Sequence, residues 1–471
     1  MKKIKYISIV QICLSTLIFT SCTDWFEVRP TSQILVSEQF STEKGFKDQL
    51  IGVYTTLAET SLYGRELTYG FAEALTQNYD LSSSSHSYYE VAQYNYQEST
   101  VKNRYTNIWL NAYNAIANLN LMLEYIDKVD ATIFSNTNYL QYKAEALGLR
   151  AFIHFDLLRL FAPSFAVGPK EKAIPYVTKY STKITPTSTV EQVVELILED
   201  LISARALYDE AIAFQTAAMP VSYRSTSFIS GTLARVYQWK GDFLNARNSI
   251  SLIFEENSDV YWTHYSIMES PNSIEWDRTF SSEGLFVLSI NNMDKQTNSY
   301  IGPSASANNL LNVSDEKMDQ IFEVTAKGYG GDWRYLRNFQ YDGANRYFYK
   351  YRQEEGARYR NRISLIKKGE MALIIAESYL DEGNLPKAIE YLNLLRDNRG
   401  SIKNYPLSSD LTASQVAEEL YKEYRKETLG EGQLFYFYKR KQYETIPGSD
   451  KSATGIYVIP LPENEIEFGN R

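Results

Sequence analysis

The chain has 471 residues, a formal net charge of −9, 44% hydrophobic and 22% charged side chains, enough for one large or two smaller cores in an ordinary globular composition. An acidic balance argues against a polyphosphate partner, so nucleic acid is excluded from the expected ligands. Tyrosine is the outlier, at 38 residues against 3 histidines. A tyrosine ring offers an apolar face and a hydroxyl, so most are expected in packing and a minority on a binding surface.

The first 21 residues read as an export signal. Lys2, Lys3 and Lys5 form a basic start, and the mostly apolar run Tyr6 to Phe19 is too short to span a bilayer comfortably. Phe19-Thr20-Ser21-Cys22 then fits a lipobox, with Cys22 as the lipidation site. Removal of residues 1–21 takes three lysines and no acid, moving the charge from −9 to −12. The other cysteine, Cys13, leaves with the signal, so the mature chain has one thiol and no internal disulfide to form. No later run approaches the roughly 20 apolar residues of a spanning helix. The expectation is a lipid-anchored protein that does not cross the membrane.

Residues 22–41 read as the anchor and an extended lead containing Pro30, and the first helix spans about Thr42 to Glu59. Leu75 to Thr100 is Ser- and Tyr-rich and reads as a long exposed loop, the kind that often carries function. Apolar residues at three- and four-residue steps predict helices over Arg104 to Lys128, Tyr139 to Phe161, Val190 to Tyr208, Ser225 to Lys240 and Phe243 to Phe254. Tyr261 to Arg362 is irregular, rich in Asn, Ser, Gly and aromatics, with Gly284 to Asn291 readable as a strand. Helices resume over Ile363 to Glu382, Leu385 to Arg396 and Ala413 to Glu427. Ala234, Tyr237, Gly241, Asp242 and Ala246 match Ala376, Tyr379, Gly383, Asn384 and Ala388 at identical spacing. The shared pattern A-x2-Y-x3-G-[DN]-x3-A is that of a tetratricopeptide-like helical hairpin. The expected fold is mostly α: a helical hairpin scaffold over 42–255 and 363–440, interrupted by a loop-rich insert at 256–362 with little strand.

No catalytic constellation emerges. His86, His154 and His264 lie far apart without metal-ligand spacing, and His154 sits in an apolar helix as a buried, satisfied histidine would. There is no nucleophile elbow and no P-loop, and Gly328-Tyr329-Gly330-Gly331 reads as a turn. No metal and no cofactor are expected, and binding is the default.

Several ordered motifs resemble the SusD/RagB-type nutrient-binding lipoproteins of Bacteroidetes. They are Trp25 to Pro30 after the lipobox; Trp109, Tyr113, Ile116 and Asn118; Ala144-Glu145-Ala146 with Arg150-Ala151; Arg425-Lys426-Glu427 with Gly430-Glu431-Gly432; and Ile459-Pro460-Leu461-Pro462. Gln433-Leu434 and Phe437-Tyr438 stand where many members carry an arginine and an aspartate, which marks a subgroup. The resemblance implies a single domain over 42–471. It implies a lipoprotein on the outer membrane, facing outward, that captures glycans and delivers them to a TonB-dependent SusC-like transporter. A peptide- or protein-binding member of the same family is the alternative, and a lipid-anchored enzyme a remoter one. By position, the expected ligand contacts are Tyr79, Asp80, Tyr88, Tyr89 and Tyr94 in the Asp80 to Tyr96 loop, with Trp262, Trp276, Tyr300 and Trp333 from the insert. Tyr88 and Tyr89 are expected to serve ligand binding with little weight in stability, and the two loops to meet on one side of the scaffold.

Overall fold

The computed structural model describes residues 36–214, 223–256 and 258–469; the signal, Cys22 and most of the lead lie outside them. The scaffold is a run of amphipathic helices. They are α1 (Glu43–Leu57), α2 (Ser99–Ile126), α3 (Asn138–Phe161), α4 (Val190–Ala213), α5 (Tyr223–Lys240) and α6 (Phe243–Ile250). After a short α7 (Asp315–Phe322) come α8 (Lys368–Asp381), α9 (Leu385–Asp397), α10 (Ala413–Thr428) and α11 (Gln433–Arg440). Their starts follow from capping chemistry. Thr42 accepts from the Gly45 N–H, and Thr189 and Thr412 form capping boxes with Gln192 and Gln415. The end of the lead departs from the extended expectation, since Val36–Gln39 is a helical turn.

The two matched hairpins are the same local structure. Gly241 and Gly383 both take a left-handed φ, of +82° and +78°, which only glycine adopts at no steric cost. The next residue, Asp242 or Asn384, donates its N–H to Tyr237 or Tyr379 and caps the second helix with its side chain. Ala246 and Ala388 are buried where the helices close on each other. These hairpins, α5–α6 and α8–α9, pack together although more than 100 residues separate them, with Ser378 Oγ donating to the Phe243 carbonyl at 2.8 Å. Arg235 of α5 clasps Glu370 of α8 at 2.7 and 2.6 Å. The insert is therefore looped out of a continuous helical stack.

Among the described residues, strand is confined to two small antiparallel pairs. β1 (Gly284–Ser289) pairs with β4 (Arg362–Lys367), and β2 (Phe339–Asp342) with β3 (Asn345–Phe348). The first pair closes the neck of the insert. It also corrects the expected helix from Ile363: residues 363–367 are the buried strand β4, and the helix begins at Lys368.

Insert and scaffold are riveted by a buried charge network. Arg334 bonds Asp332, Glu423 and Glu427 at 2.7–3.0 Å; Arg399 bonds Glu283 at 2.5 Å and Glu427 at 2.8 Å. Lys367 and Lys350 share Glu431 at 2.5 and 2.6 Å, while Arg396 and Lys426 meet Glu423. The Lys426 ammonium also reaches Glu323. Six acids thus face six bases, so the cluster is neutral and nearly every oxygen is hydrogen-bonded, the condition under which buried charge is tolerated.

The network gives a pH signature. Burial alone would raise the Glu423, Glu427 and Glu377 carboxyls, but the cations packed on them win: Glu427 is held well below the ordinary range, Glu423 likewise, and Glu377 is pulled to about 2 by Arg440 and Lys441. A carboxyl depressed in the folded state contributes stability that is present above its unfolded value and lost as pH falls through the folded one. Glu73 and Glu145, raised by burial, work the other way and blunt the onset. Melting temperature is therefore expected to hold between about pH 5 and 7 and to fall steadily below about pH 4.5, down to pH 2. Calorimetry across that range checks it; a melting temperature unchanged at pH 3 would contradict the assignment.

Candidate functional site

The Asp80 to Tyr96 segment and the insert meet along a hydrogen-bonded seam. Asp80 N–H donates to the Asn312 carbonyl at 3.0 Å and Ser87 N–H to that of Asn308 at 2.8 Å. The Asp80 carboxylate pairs with Lys317 at 2.9 Å and accepts from the Ser314 N–H, and Lys317 also reaches the Gln77 and Tyr79 carbonyls. His86 Nδ1 accepts from the Tyr88 N–H, so its Nε2–H faces the Leu310 carbonyl at 3.2 Å. Burial lowers its pKa, which suits a neutral structural ring.

Beneath the seam stands Glu66. It pairs with Arg104 at 2.6 Å and Arg65 at 3.0 Å, and accepts from the Phe71 N–H and the Tyr88 hydroxyl. The Arg104 guanidinium lies 4.1 Å over the Tyr88 ring, Arg65 lies 4.7 Å over Tyr300, and Tyr88 meets Tyr300 edge-on at 6.1 Å. Cation–π stacking in a partly desolvated site fixes these rings in place. One carboxylate thereby orders two arginines and two tyrosines from three distant chain segments. Sequence reading missed Arg65, Glu66 and Arg104, because Glu66 and Arg104 are 38 residues apart with no shared periodicity.

The expected ligand residues divide by burial. The exposed-loop expectation for Leu75 to Thr100 is corrected: Tyr79, Tyr88, Tyr94 and Tyr96 are all buried, and Tyr88 is 0% exposed. The Tyr94 hydroxyl donates to the Leu75 carbonyl at 3.0 Å and burial pushes its pKa to about 12. The physical reason is hydrogen-bond supply: Glu66 and the Leu75 and Ile456 carbonyls lie where the Tyr88, Tyr94 and Tyr96 hydroxyls need acceptors, so those rings can be buried without orphaning an O–H. Tyr79 packs against Phe348, and its buried hydroxyl has no hydrogen-bond partner among the described residues. Tyr89 and Tyr300 remain half-buried, and the Tyr89 ring makes no ring contact among the described residues. Asp80 is exposed but committed to Lys317.

The three tryptophans lie apart from this seam. Trp333 is buried against Met268 and Phe280. Trp276 donates to the Ser270 carbonyl at 2.9 Å and stacks under Arg337 at 4.4 Å; Trp262 lies edge-on to Phe254, with Lys368 and Arg399 over it. Among the described residues no ring contact joins them to Tyr79, Tyr88, Tyr89, Tyr94 or Tyr300, so the nine residues do not form one cluster. Within the insert, exposed rings that sequence did not single out are Tyr261, Tyr265 and Tyr341.

His154, expected to be satisfied in the core, is so. Its Nε2 accepts from the Val177 N–H at 3.0 Å, which leaves Nδ1–H to donate to the Arg150 carbonyl at 2.9 Å, and burial lowers its pKa to about 3. Among the described residues there is no group of three His, Cys, Asp or Glu that could hold a metal, and no helix is long and apolar enough to cross a membrane.

Residues 24–238 match the SusD-like family described as "Starch-binding associating with outer membrane". A curated relative, SusD-like protein P38 of Formosa agariphila, is 24% identical over 92% of this chain and 90% of its own length. A SusD-like carbohydrate-binding protein from Bacteroides vulgatus superposes with a TM-score of 0.72 at 19% identity, covering 91% of this chain and 97% of the other. A laminarin-binding SusD-like protein gives 0.65 at 18% identity, covering 91% and 98%.

Proposed function

We propose that this chain, a SusD-like protein in sequence over residues 24–238 and in fold over nine-tenths of its length, is a surface lipoprotein that binds an oligo- or polysaccharide and delivers it to a TonB-dependent SusC-like transporter in the outer membrane. It acts by binding rather than by catalysis. Cys22 carries the lipid, and the folded part stands outside the bilayer. The observation that supports the reading is the seam between the Asp80 to Tyr96 segment and the insert, where half-buried Tyr300 lies under Arg65 and edge-on to Tyr88, and half-buried Tyr89 follows Tyr88 in the chain. A sugar ring stacks an apolar face on an aromatic and offers its hydroxyls to neighbouring donors and acceptors.

The test is affinity electrophoresis and calorimetry with starch, laminarin and other polysaccharides. Y89A/Y300A is expected to weaken binding of the retained glycan by about tenfold or more, since a lost stacking partner costs roughly 1–3 kcal/mol by analogy with base stacking. Unchanged affinity in a folded double variant would remove the seam from the reading. For the anchor, C22A is expected to move the protein from the membrane to the soluble fraction; tight membrane association in that variant would refute the lipid.

A further inference from the structure

A cavity that shares no lining residue with the seam has a floor of a different chemistry. It measures about 250 Å³ and lies between the C-terminal end of α3 and the segment after α11, with walls from Pro163, Val167, Tyr443, Tyr457 and Val458. Tyr457 Oη donates to the Tyr443 carbonyl at 2.8 Å, which stiffens one wall. Lys439 and Ser164 also line it, and both are almost fully buried. Buried Lys368 donates to the Val260 carbonyl at 2.6 Å, whereas the buried Lys350, Lys367 and Lys426 each have a carboxylate partner. Lys439 has none within ion-pair distance among the described residues: its Nζ donates at 2.6 Å to the Arg159 carbonyl near the end of α3. The Ser164 hydroxyl is buried and has no hydrogen-bond partner among the described residues. The Arg159 guanidinium nearby is taken up by Asp156, Gln433 and the Tyr436 ring. Glu444 lines the same cavity from an exposed position.

We infer that this cavity binds a small monocarboxylate with an apolar body, its carboxylate received by the Lys439 amine and the Ser164 hydroxyl and its body held between Tyr443, Tyr457 and Val458. The walls select the body, since they are mostly carbon. The floor selects the head, since a buried amine and a buried O–H donor both line it, and the acid on the lining, Glu444, is exposed and makes no ion pair with Lys439 among the described residues. An apolar cavity near 150 Å³ already holds benzene, so a ring bearing one carboxylate is within the space. Burial and the Arg159 charge push the Lys439 amine down from its usual value, and an arriving carboxylate opposes that shift.

Calorimetry on the purified protein with benzoate, and with benzyl alcohol as the neutral counterpart, tests this. The expected result is saturable benzoate binding and none by benzyl alcohol. K439M, a substitution suited to a buried site, is expected to weaken benzoate by at least about tenfold, and S164A by less, with far-UV circular dichroism unchanged. Should K439M fail to fold, S164A and the comparison of the two probes decide. Equal affinity for both probes, benzoate affinity retained in folded K439M, or no benzoate binding would each overturn the inference.

Discussion

Replacing Glu427 by glutamine is expected to destabilise the protein by about 3–5 kcal/mol, the range for a buried ion pair that loses one partner. Glu427 is fully buried and touches Arg334, Arg399 and Lys367, so E427Q leaves three buried cations short of one negative charge. The Arg399 guanidinium keeps Glu283, and Arg334 keeps Asp332 and Glu423, which is why the effect is a large loss and not necessarily abolition of the fold. Gly369 reports on the same packing, because a Cβ there would collide with the Glu427 carboxylate and the Arg399 guanidinium. Urea unfolding at pH 7 measures the loss. The exposed Lys128–Glu124 pair is the control, and K128A is expected to leave the midpoint where it is. A midpoint for E427Q equal to that of K128A would mean the network carries no net stability.

Tyr88 is expected to behave as a structural residue. Y88A should cost about 3–5 kcal/mol, the range for a buried aromatic truncated to alanine. The ring is wholly buried under Arg104, and its hydroxyl bonds both Glu66 oxygens at 3.1 Å. Y88F keeps the ring and removes one hydrogen bond to a charged acceptor, so about 1.5–3 kcal/mol is expected there. Y89A, on a half-buried ring without ring contacts among the described residues, should leave the melting temperature close to the parent. The pair of single variants thus separates packing from ligand contact at adjacent positions. Thermal melts that fall equally for Y88A and Y89A would contradict this division.

These two residues show where sequence reading stops. Composition and alternation place tyrosines in a polar stretch, and a polar stretch reads as exposed. Burial depends on where acceptors for the hydroxyls lie, and Glu66, Leu75 and Ile456 are 22, 19 and 360 residues away from Tyr88, Tyr94 and Tyr96. The charge network is hidden for the same reason, with Glu283 and Arg399 separated by 116 residues. By contrast the hairpins were legible, because a left-handed glycine, an Asn or Asp cap and two small contact residues are all local requirements. The signature around Arg425 to Gly432 was legible as a resemblance but not as physics: Glu427 and Glu431 turn out to tie Lys367 of β4, Arg399 beyond α9, and Arg334 and Lys350 of the insert to α10 and the turn after it.

The measurement that bears most directly on the central reading is a side-by-side array of glycans and peptides probed with the parent protein and with Y89A/Y300A. The account predicts retention on one or more oligo- or polysaccharides, none on peptides, and loss of the glycan signal in the folded double variant. Retention on peptides alone, or a glycan signal that the double variant keeps in full, would contradict it.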